Sequence, residues 1–293
     1  MKLKEALPSL FRRPFPLLEP ETRVLLAGTI LDTPRRDVLK VAELDENMGQ
    51  FSEKKDRFLA FSGYTLLARL LEIDREEYYK FLYEPCWRAS KYASPVASNA
   101  EIATVLEEFA RTRIGWSFVE ENGKYDVISL SDFISFYQSG IFETDLTVPD
   151  VASQEIFTMP SNTRLGKALQ EMRKRKIRRI FLPGNDYRFV SDREILTYIF
   201  SSEQVNLIKD DPGRMLDAAL EDVGAVDAIK VDGRPTIKNI SRLFKPESGM
   251  WCLVCSTGLV TPWDLVVKPW NMGRLKIREI VGLKPFKSGI SIK

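Results

Sequence analysis

The sequence contains no histidine, few cysteines and no long apolar segment, and each absence removes a class of function. Without histidine in 293 residues, the commonest general base and the commonest zinc ligand are missing. The sequence also has no G-x-x-x-x-G-K-[ST] phosphate loop and no G-x-S-x-G nucleophile motif. Catalysis would depend on carboxylate, lysine or tyrosine groups alone, so we expect no enzymatic activity, no metal and no cofactor.

Neither charge nor hydropathy indicates a nucleic-acid or membrane protein. The 43 Lys and Arg residues nearly balance the 41 Asp and Glu residues, which leaves a net charge of +2. No apolar run approaches the roughly 18 residues of a membrane span, and the N-terminus has none long enough for a signal peptide. We therefore expect a cytoplasmic protein, in which any binding of nucleic acid would need a local basic patch.

The three cysteines argue against a disulfide framework and fit a reducing compartment. Cys252 and Cys255 form a C-x-x-C pair, but they lie in the apolar run MWCLVC, which is typical of a strand. Side chains three apart on a strand point to opposite faces. The pair is therefore predicted to be structural rather than a metal or redox site.

A fourfold internal repeat is the strongest signal in the sequence. An apolar strand runs into a Ser/Thr-x-x-acid motif in GLVTPWDLV, YDVISLSDFISF and YRFVSDREILTYIF, and into a weaker version in RFLAFSGYTLLARLL. The motif hydroxyls, 62 to 70 residues apart, are Ser62, Ser129, Ser191 and Thr261. Because a helix and a hairpin precede each motif, we predict a unit of strand, helix, strand, strand, helix, used four times.

The first helix of each unit is predicted from apolar residues at helical spacing. These residues are Val38, Val41 and Ala42 in the first unit, Ile102, Val105, Leu106 and Phe109 in the second, Leu165, Ala168, Leu169 and Met172 in the third, and Ile237, Ile240 and Phe244 in the fourth. Ser161 is predicted to cap the third of these helices, and a thin strand is predicted near Phe51.

Units with so few strands cannot each bury a sheet alone, so we expect the first to pair with the second and the third with the fourth. The predicted boundaries are 1–75, 76–140, 155–203 and 204–268 for the four repeats, 141–154 for a Pro-containing acidic linker, and 269–293 for a basic C-terminal segment.

The order, length and terminal motif of these units resemble CBS domains, which pair into nucleotide-sensing Bateman modules. The resemblance extends to about Lys268 and implies an α/β (α+β) fold of four β-α-β-β-α CBS repeats paired into two Bateman modules. It is a resemblance to stand-alone archaeal CBS proteins and to AMP-activated protein kinase γ subunits. It implies a non-enzymatic regulatory protein that binds AMP, ADP, ATP or an adenosyl compound in clefts between paired repeats, with a protein partner or self-association.

The four units match the family pattern of Gly, two apolar residues, Ser/Thr, two variable residues and Asp to different degrees. Only the fourth unit matches in full, with Gly258, Thr261 and Asp264. The departures are Asp126 for the glycine in the second unit, Arg188 and Glu194 for the glycine and the aspartate in the third, and Leu59 and Thr65 in the first.

The motif of the fourth unit has a structural and a functional interpretation. In the structural one, Thr261 and Asp264 satisfy free amide groups of the first helical turn, with Pro262 at the favoured first position. In the functional one, a phosphate lies beside Thr261 at the helix start, and Asp264 accepts hydrogen bonds from ribose hydroxyls. Gly258 then lets the ligand approach the strand backbone.

The second and third units supply further candidate nucleotide contacts. Ser129 and Asp132 repeat the hydroxyl and the acid, and Ser191 supplies a hydroxyl. Glu194 is interpreted as mainly a capping residue.

Basic residues must complete any phosphate site. The run RKRKIRR at 173–179 is explained by a solvated face at a helix C-terminus. However, Arg178 and Arg179 match the positions where the kinase γ subunits carry a His-Arg pair facing phosphates, which makes Arg179 a candidate. Lys230 and Arg234, just before the helix of the fourth unit, are two more.

The segment 268–293 contains seven Lys or Arg residues and one Glu, interleaved with apolar and aromatic residues. It supports an alternative function, a scaffold or adaptor with degenerate sites that binds nucleic acid or a protein partner through this segment. The simpler alternative is that the segment packs back onto the last repeat with its lysines in water.

Overall fold

The structure is a computed structural model that describes residues 1–8, 10–11, 17–31, 38–41, 58–153, 155–184, 187–244 and 252–278. Among these residues, no helix combines the length and the apolar character that crossing a bilayer requires.

The first two repeats each follow the predicted order of strand, helix, hairpin and helix. The first repeat consists of β1 (Leu17–Leu18), α2 (Val24–Leu31), β2 (Val38–Val41), β3 (Phe58–Ser62) and α3 (Gly63–Leu70). The second consists of β5 (Val96–Ala97), α5 (Ile102–Thr112), β6 (Trp116–Glu121), β7 (Lys124–Ser129) and α6 (Leu130–Ser139). In both, the first strand pairs in parallel with the second, and the second pairs antiparallel with the third.

The last two repeats have the same arrangement. The third consists of α8 (Leu165–Arg175), β9 (Arg179–Phe181), β10 (Arg188–Ser191) and α9 (Asp192–Ile199). The fourth consists of β12 (Ile229–Val231), α11 (Ile237–Ser241), β13 (Leu253–Cys255), β14 (Gly258–Val260) and α12 (Pro262–Asn271). In the third repeat, an isolated parallel bridge between Thr158 and Phe181 stands where the other repeats have their first strand.

Short elements precede, connect and follow the repeats. They are α1 (Leu3–Ala6), α4 (Tyr78–Leu82), β4 (Lys91–Ala93), β8 (Phe142–Glu143), α7 (Val148–Val151), α10 (Ser202–Asp210), β11 (Val226–Asp227) and β15 (Lys276–Ile277), with 3-10 turns at Arg75–Glu77, Cys86–Ala89, Pro212–Leu216 and Leu220–Val223. Strand β4 extends the sheet of the first repeat, and β11 extends that of the third. The predicted boundaries between the repeats stay a prediction.

The predicted helix of the first repeat is wrong, because Val38 and Val41 lie in strand β2. Ala42 and Phe51 lie outside the described residues. The helix is α2 instead, whose sequence VLLAGTIL is apolar almost throughout and therefore shows no clear stripe. It also contains Gly28, which packs so closely against the ring of Phe200 that a Cβ would lie 2.2 Å from it. The close contact with Phe200 thus explains why a glycine occurs inside this helix.

The predicted cap of the third repeat is also wrong. The N-cap of α8 is Arg164, and the Ser161 hydroxyl instead donates to Glu221 Oε2 at 2.8 Å. The apolar stripe of α8 is confirmed, since Leu165, Ala168, Leu169 and Met172 are all buried.

The four repeats are joined in two directions. Sheets meet within the pairs: Phe181 and Phe189 of the third repeat contact Cys252 and Val254 of the fourth, and Ala60 of the first contacts Phe118 of the second. Helices meet between the pairs, in one core shared by the first and third repeats and another shared by the second and fourth. The predicted pairing of neighbouring repeats is therefore confirmed, and the helices join the two pairs.

The segment 141–154 packs against the fourth repeat. Ser153 and Leu259 exchange two backbone hydrogen bonds at 2.7 and 2.9 Å, and the Val148 N–H donates to Pro235 O at 3.0 Å. This segment thereby contacts the start of α12, where the complete motif lies.

Candidate functional site

The Asp264 carboxylate, at the start of α12, is 3% exposed and bonded within the chain. Its Oδ2 accepts hydrogen bonds from the Thr261 N–H at 2.8 Å and the Thr261 hydroxyl at 2.7 Å. Its Oδ1 accepts from the Ser153 hydroxyl at 3.0 Å and lies 2.8 Å from Lys268 Nζ. The capping arrangement of the structural interpretation is therefore present.

Lys268 locks this arrangement from one turn further along α12. Besides its ion pair with Asp264, its Nζ donates to Val151 O at 2.8 Å and to the Ser153 hydroxyl at 3.0 Å. A ribose could reach the carboxylate only by displacing Ser153 and Lys268. In this conformation the fourth repeat is closed to a diol.

Gly258 has a structural explanation that needs no ligand. It ends the Ser256–Thr257 hairpin turn at a φ of 139°, a conformation that favours glycine. A glycine at this position is therefore expected both for a tight hairpin and for close approach of a ligand.

In the second repeat the equivalent acid is half-buried. The Asp132 Oδ2 accepts from the Ser129 N–H at 2.7 Å and from the Ser129 hydroxyl at 3.2 Å. The residue four positions on, at the place of Lys268, is the buried Phe136. Asp126, in the glycine position, accepts from the N–H of Phe11 at 2.8 Å, so this carboxylate is held by the N-terminal segment.

In the third repeat, the Ser191 hydroxyl is buried against Glu194, whose Oε2 also accepts from the Ser191 N–H at 2.8 Å. The capping role predicted for Glu194 matches this geometry. Arg179 lies beside Ser191 in the register of β9 and β10, whereas Arg178 forms an ion pair with Asp192 at 2.7 Å. The two arginines thus point to different surroundings, and Arg179 is the one beside the motif hydroxyl.

A cleft of about 620 Å³ lies between the third and fourth repeats. Its lining residues are Arg188, Ala225, Asp227, Ala228 and Lys230. The Lys230 ammonium lies 5.1 Å from the centre of the Tyr187 ring, which is within cation–π range. The cleft therefore combines two cations, one carboxylate and a neighbouring aromatic ring.

The structure places Arg234 away from this cleft, in an ion pair with Asp150 of α7 at 2.5 Å. The Thr147 hydroxyl also donates to Asp150, and hydrogen bonding by Thr147, followed by the charge of Arg234, lowers the pKa of Asp150. Arg234 therefore fastens the segment 141–154 to the fourth repeat.

The described part of the basic C-terminal segment packs back onto the protein. Strand β15 pairs with β8, and ion pairs join Arg274 to Asp145 and Arg278 to Glu143. Residues up to 278 therefore pack back onto the chain, but these contacts are with the segment 141–153 and not with the last repeat that the packing alternative named. Residues 279–293, which carry the remaining lysines, lie outside the described residues.

The cysteine pair has no shared chemistry in this fold. Cys252 faces the sheet interface between the third and fourth repeats, and Cys255 faces the helical core. Burial raises the pKa of the Cys252 thiol to about 12, which disfavours the reactive thiolate. Across the described residues, no three Cys, Asp or Glu side chains are grouped to hold a metal ion.

Sequence reasoning missed the residues that decide which sites are open. Lys268 stands four residues after Asp264, which is the spacing of a helical ion pair and was a readable signal. Ser153 is brought to the same carboxylate from 111 positions away, and nothing local in the sequence indicates that contact.

The sequence matches no protein-family model, and it matches no curated protein significantly. Among solved structures, the fold is shared with protein MJ1225 from Methanocaldococcus jannaschii, a proposed archaeal homologue of g-AMPK. The TM-score is 0.74 at 12% identity, over 91% of this chain and 99% of that one. The predicted fold of four CBS repeats in two Bateman modules is confirmed.

Two further solved structures match the chain more weakly. An uncharacterised conserved protein from Pyrococcus horikoshii aligns over 78% of this chain and 89% of its own, with a TM-score of 0.48 and 13% identity. A CBS-domain protein from Pyrobaculum aerophilum, complexed with AMP, aligns over 45% of this chain and 89% of its own, with a TM-score of 0.33 and 17% identity.

Proposed function

We propose that this chain is a non-enzymatic cytoplasmic regulator that binds an adenine nucleotide between paired repeats and signals the bound state to a protein partner. The observation that carries the proposal is the cleft between the third and fourth repeats. Its volume of about 620 Å³ lies within the range of roughly 300–1,000 Å³ that is usual for small-molecule sites.

The charges of the cleft support an anionic, aromatic ligand. Lys230 and Arg188 carry two positive charges, and Asp227 carries one negative charge. The Asp227 Oδ1 lies 3.9 Å from the Arg188 Nε. The exposed Lys230 side chain is free to exchange its contact with Tyr187 for a phosphate, while the Tyr187 ring offers a stacking surface for a base. These features fit a nucleotide better than a neutral metabolite.

The second repeat supports a further nucleotide contact. Asp132 is more exposed than Asp264 and has Phe136 in the place of Lys268, so its carboxylate is the better candidate of the two to accept ribose hydroxyls. Regulation then requires that a nucleotide bind one arrangement of the two Bateman modules more tightly than another, because only differential affinity shifts a conformational equilibrium.

Calorimetric titration with adenosine, AMP, ADP and ATP tests this function. Lys230→Gln should weaken AMP and ATP binding about tenfold, since a charge-assisted contact is lost, but leave adenosine binding unchanged. Lys238→Gln, at an exposed lysine of the same repeat, is the matched control and should change nothing.

Asp132→Asn tests the proposed ribose contact of the second repeat. If the carboxylate holds a ribose, this variant should weaken adenosine binding as much as AMP binding. The absence of saturable binding by all four ligands, or equal affinities in wild type and both variants, would contradict the proposal.

A further inference from the structure

A small cavity in the first repeat carries an inference that does not depend on nucleotide binding. It has a volume of about 160 Å³ and lies between α3 and the segment that leads to β4. Its lining residues are Thr65, Ala68, Arg69, Glu72, Arg88, Ala89, Ser90 and Lys91. At this volume it is too small for a nucleotide, since sites for whole ligands begin near roughly 300 Å³.

The cavity lies beside Thr65, which holds the position in the first repeat that Asp264 holds in the fourth. Lys91 pairs with Ala60, two residues before the helix cap Ser62, just as Ser153 pairs with Leu259, two residues before Thr261. Lys91 and Ser153 are therefore equivalent.

By the same count, Arg69 is equivalent to Lys268, since each stands four residues after the third helical position. In the fourth repeat that position is Asp264, and its Oδ1 lies between Lys268 and Ser153.

The first repeat keeps a cation, Arg69, at the position of Lys268 and has Lys91 in the place of the uncharged Ser153, but it lacks the acid. Thr65 stands in the acidic position, and its hydroxyl completes the cap by accepting from the Ser62 N–H at 3.0 Å and donating to Ser62 O at 2.8 Å. It offers no negative charge to Arg69 or Lys91. Thr65 therefore caps the helix as an acid would, but it supplies no negative charge to the neighbouring cations.

The Arg69 side chain has an unmet hydrogen-bonding need at this position. Its Nε is buried and has no hydrogen-bond partner among the described residues. Its Nη1 lies 3.4 Å from Glu72, which is shared with Arg173 of the third repeat at 3.2 Å. The Nε is shielded from solvent, so a ligand in the cavity would contact the guanidinium end of this side chain, which is 39% exposed overall.

The charge balance around the cavity is positive. Arg88 is paired with Glu84 at 3.3 Å, and Glu72 is shared by two arginines. Lys91 has no carboxylate partner in the described part of the chain and lies 5.8 Å from the centre of the Tyr64 ring. The cavity is thus lined by three cations, Arg69, Arg88 and Lys91, and one carboxylate, Glu72, and that excess favours an anion.

We propose that this cavity binds a small tetrahedral oxyanion, a phosphate group, in the place of the missing carboxylate. Arg69 and Lys91 hold its oxygens from the two sides, as Lys268 and Ser153 hold Asp264 in the fourth repeat.

Inorganic phosphate added to the full-length protein tests the proposal, with thermal unfolding and calorimetry as readouts and chloride at equal ionic strength as reference. Wild type should show saturable stabilisation by phosphate. Arg69→Gln and Lys91→Gln should each weaken binding about tenfold, because each removes a charge-assisted hydrogen bond. Lys238→Gln, at an exposed lysine away from both sites, should leave it unchanged.

Thr65→Asp is the sharpest variant, because it restores the acid of the fourth repeat. It should raise the melting temperature without phosphate and abolish the phosphate response. Competition tells the sources apart: displacement by AMP but not adenosine indicates a nucleotide phosphate, and displacement by neither indicates free phosphate.

A wild-type response equal to that in chloride overturns the proposal. Undiminished phosphate binding in Arg69→Gln, or in a folded Thr65→Asp variant, overturns it as well.

Discussion

The second and fourth repeats carry the same hydroxyl and acid at the start of their last helix, yet the two carboxylates have different surroundings. Asp264 is buried and bonded to Lys268 and Ser153, whereas Asp132 is half-buried and has Phe136 in the place of the lysine. The repeat that matches the family pattern completely is the closed one.

The difference teaches that the motif alone does not determine access. A Ser/Thr-x-x-Asp sequence can always cap a helix, because hydroxyl and carboxylate reach the free amides of the first turn. Whether the second carboxylate oxygen is available depends on the residue one turn later and on the segment packed alongside. In the first repeat, Arg69 stands at the position of Lys268 and Lys91 at that of Ser153, but the acid is missing and a cavity lies beside them.

The largest expected effect comes from breaking the lock of the fourth repeat. Lys268→Met leaves a carboxylate that is 3% exposed without its cation, and removing one partner of a buried ion pair costs about 3 kcal/mol of unfolding free energy. Urea unfolding measures the loss. Lys238→Met, at an exposed position, should stay within about 0.5 kcal/mol of wild type, and an equally small change for Lys268→Met would mean that the ion pair is not formed.

A smaller effect is expected from Gly258→Ala. At a φ of 139° an alanine is strained, so we expect a loss of about 1–2 kcal/mol of unfolding free energy, whether or not nucleotide is present. Ser256→Ala in the same hairpin turn is the control and should be close to neutral. A loss of nucleotide binding in Gly258→Ala without a loss of stability would assign the glycine to a ligand instead.

Asp132→Ala should cost about 1 kcal/mol, because it removes the capping acceptor of the Ser129 N–H from a half-buried position. Glu107→Ala on the exposed face of α5 is the matched control. If Asp132→Ala costs as much as Lys268→Met, the contrast between the second and fourth repeats is wrong.

The smallest effect concerns the segment that closes the fourth repeat. The pKa of Asp150 is lowered, chiefly by the Thr147 hydrogen bonds, so its stabilising contribution is complete above the unfolded pKa near 4 and is lost as the pH falls through the folded value.

The melting temperature of wild type should therefore slightly exceed that of Asp150→Asn at pH 7. The gap should narrow as the pH falls below about 4 and close once the pH is below the lowered folded pKa of Asp150, because the carboxyl is then protonated in both states. A gap that stays constant from pH 7 down to about pH 2 would show that the charge of Asp150 is not its cause.

Local patterns predicted most of the fold. The stripes of α5, α8 and α11 and the hairpins of the second and third repeats follow from periodicity and turn residues that depend only on neighbours in the chain. Helix α2 was not predicted, because its Gly28 and its continuous apolar surface are explained by packing against distant parts of the chain. Phe200, which contacts Gly28, lies 172 positions away. A short apolar run near Val38 satisfied a helical spacing but forms a strand.

The candidate sites were less predictable, because their state depends on contacts between distant segments. The sequence by itself determined the fourfold repeat and the hydroxyl at each helix start, followed three residues later by an acid or, in the first repeat, by Thr65. It therefore determined the caps, since these interactions span three residues. Only the tertiary structure decided that Ser153 and Lys268 close the site of Asp264 and that Arg69 and Lys91 face an open cavity. Burial and charge pairing are properties of packed surfaces, and packing brings together residues that are far apart in the chain.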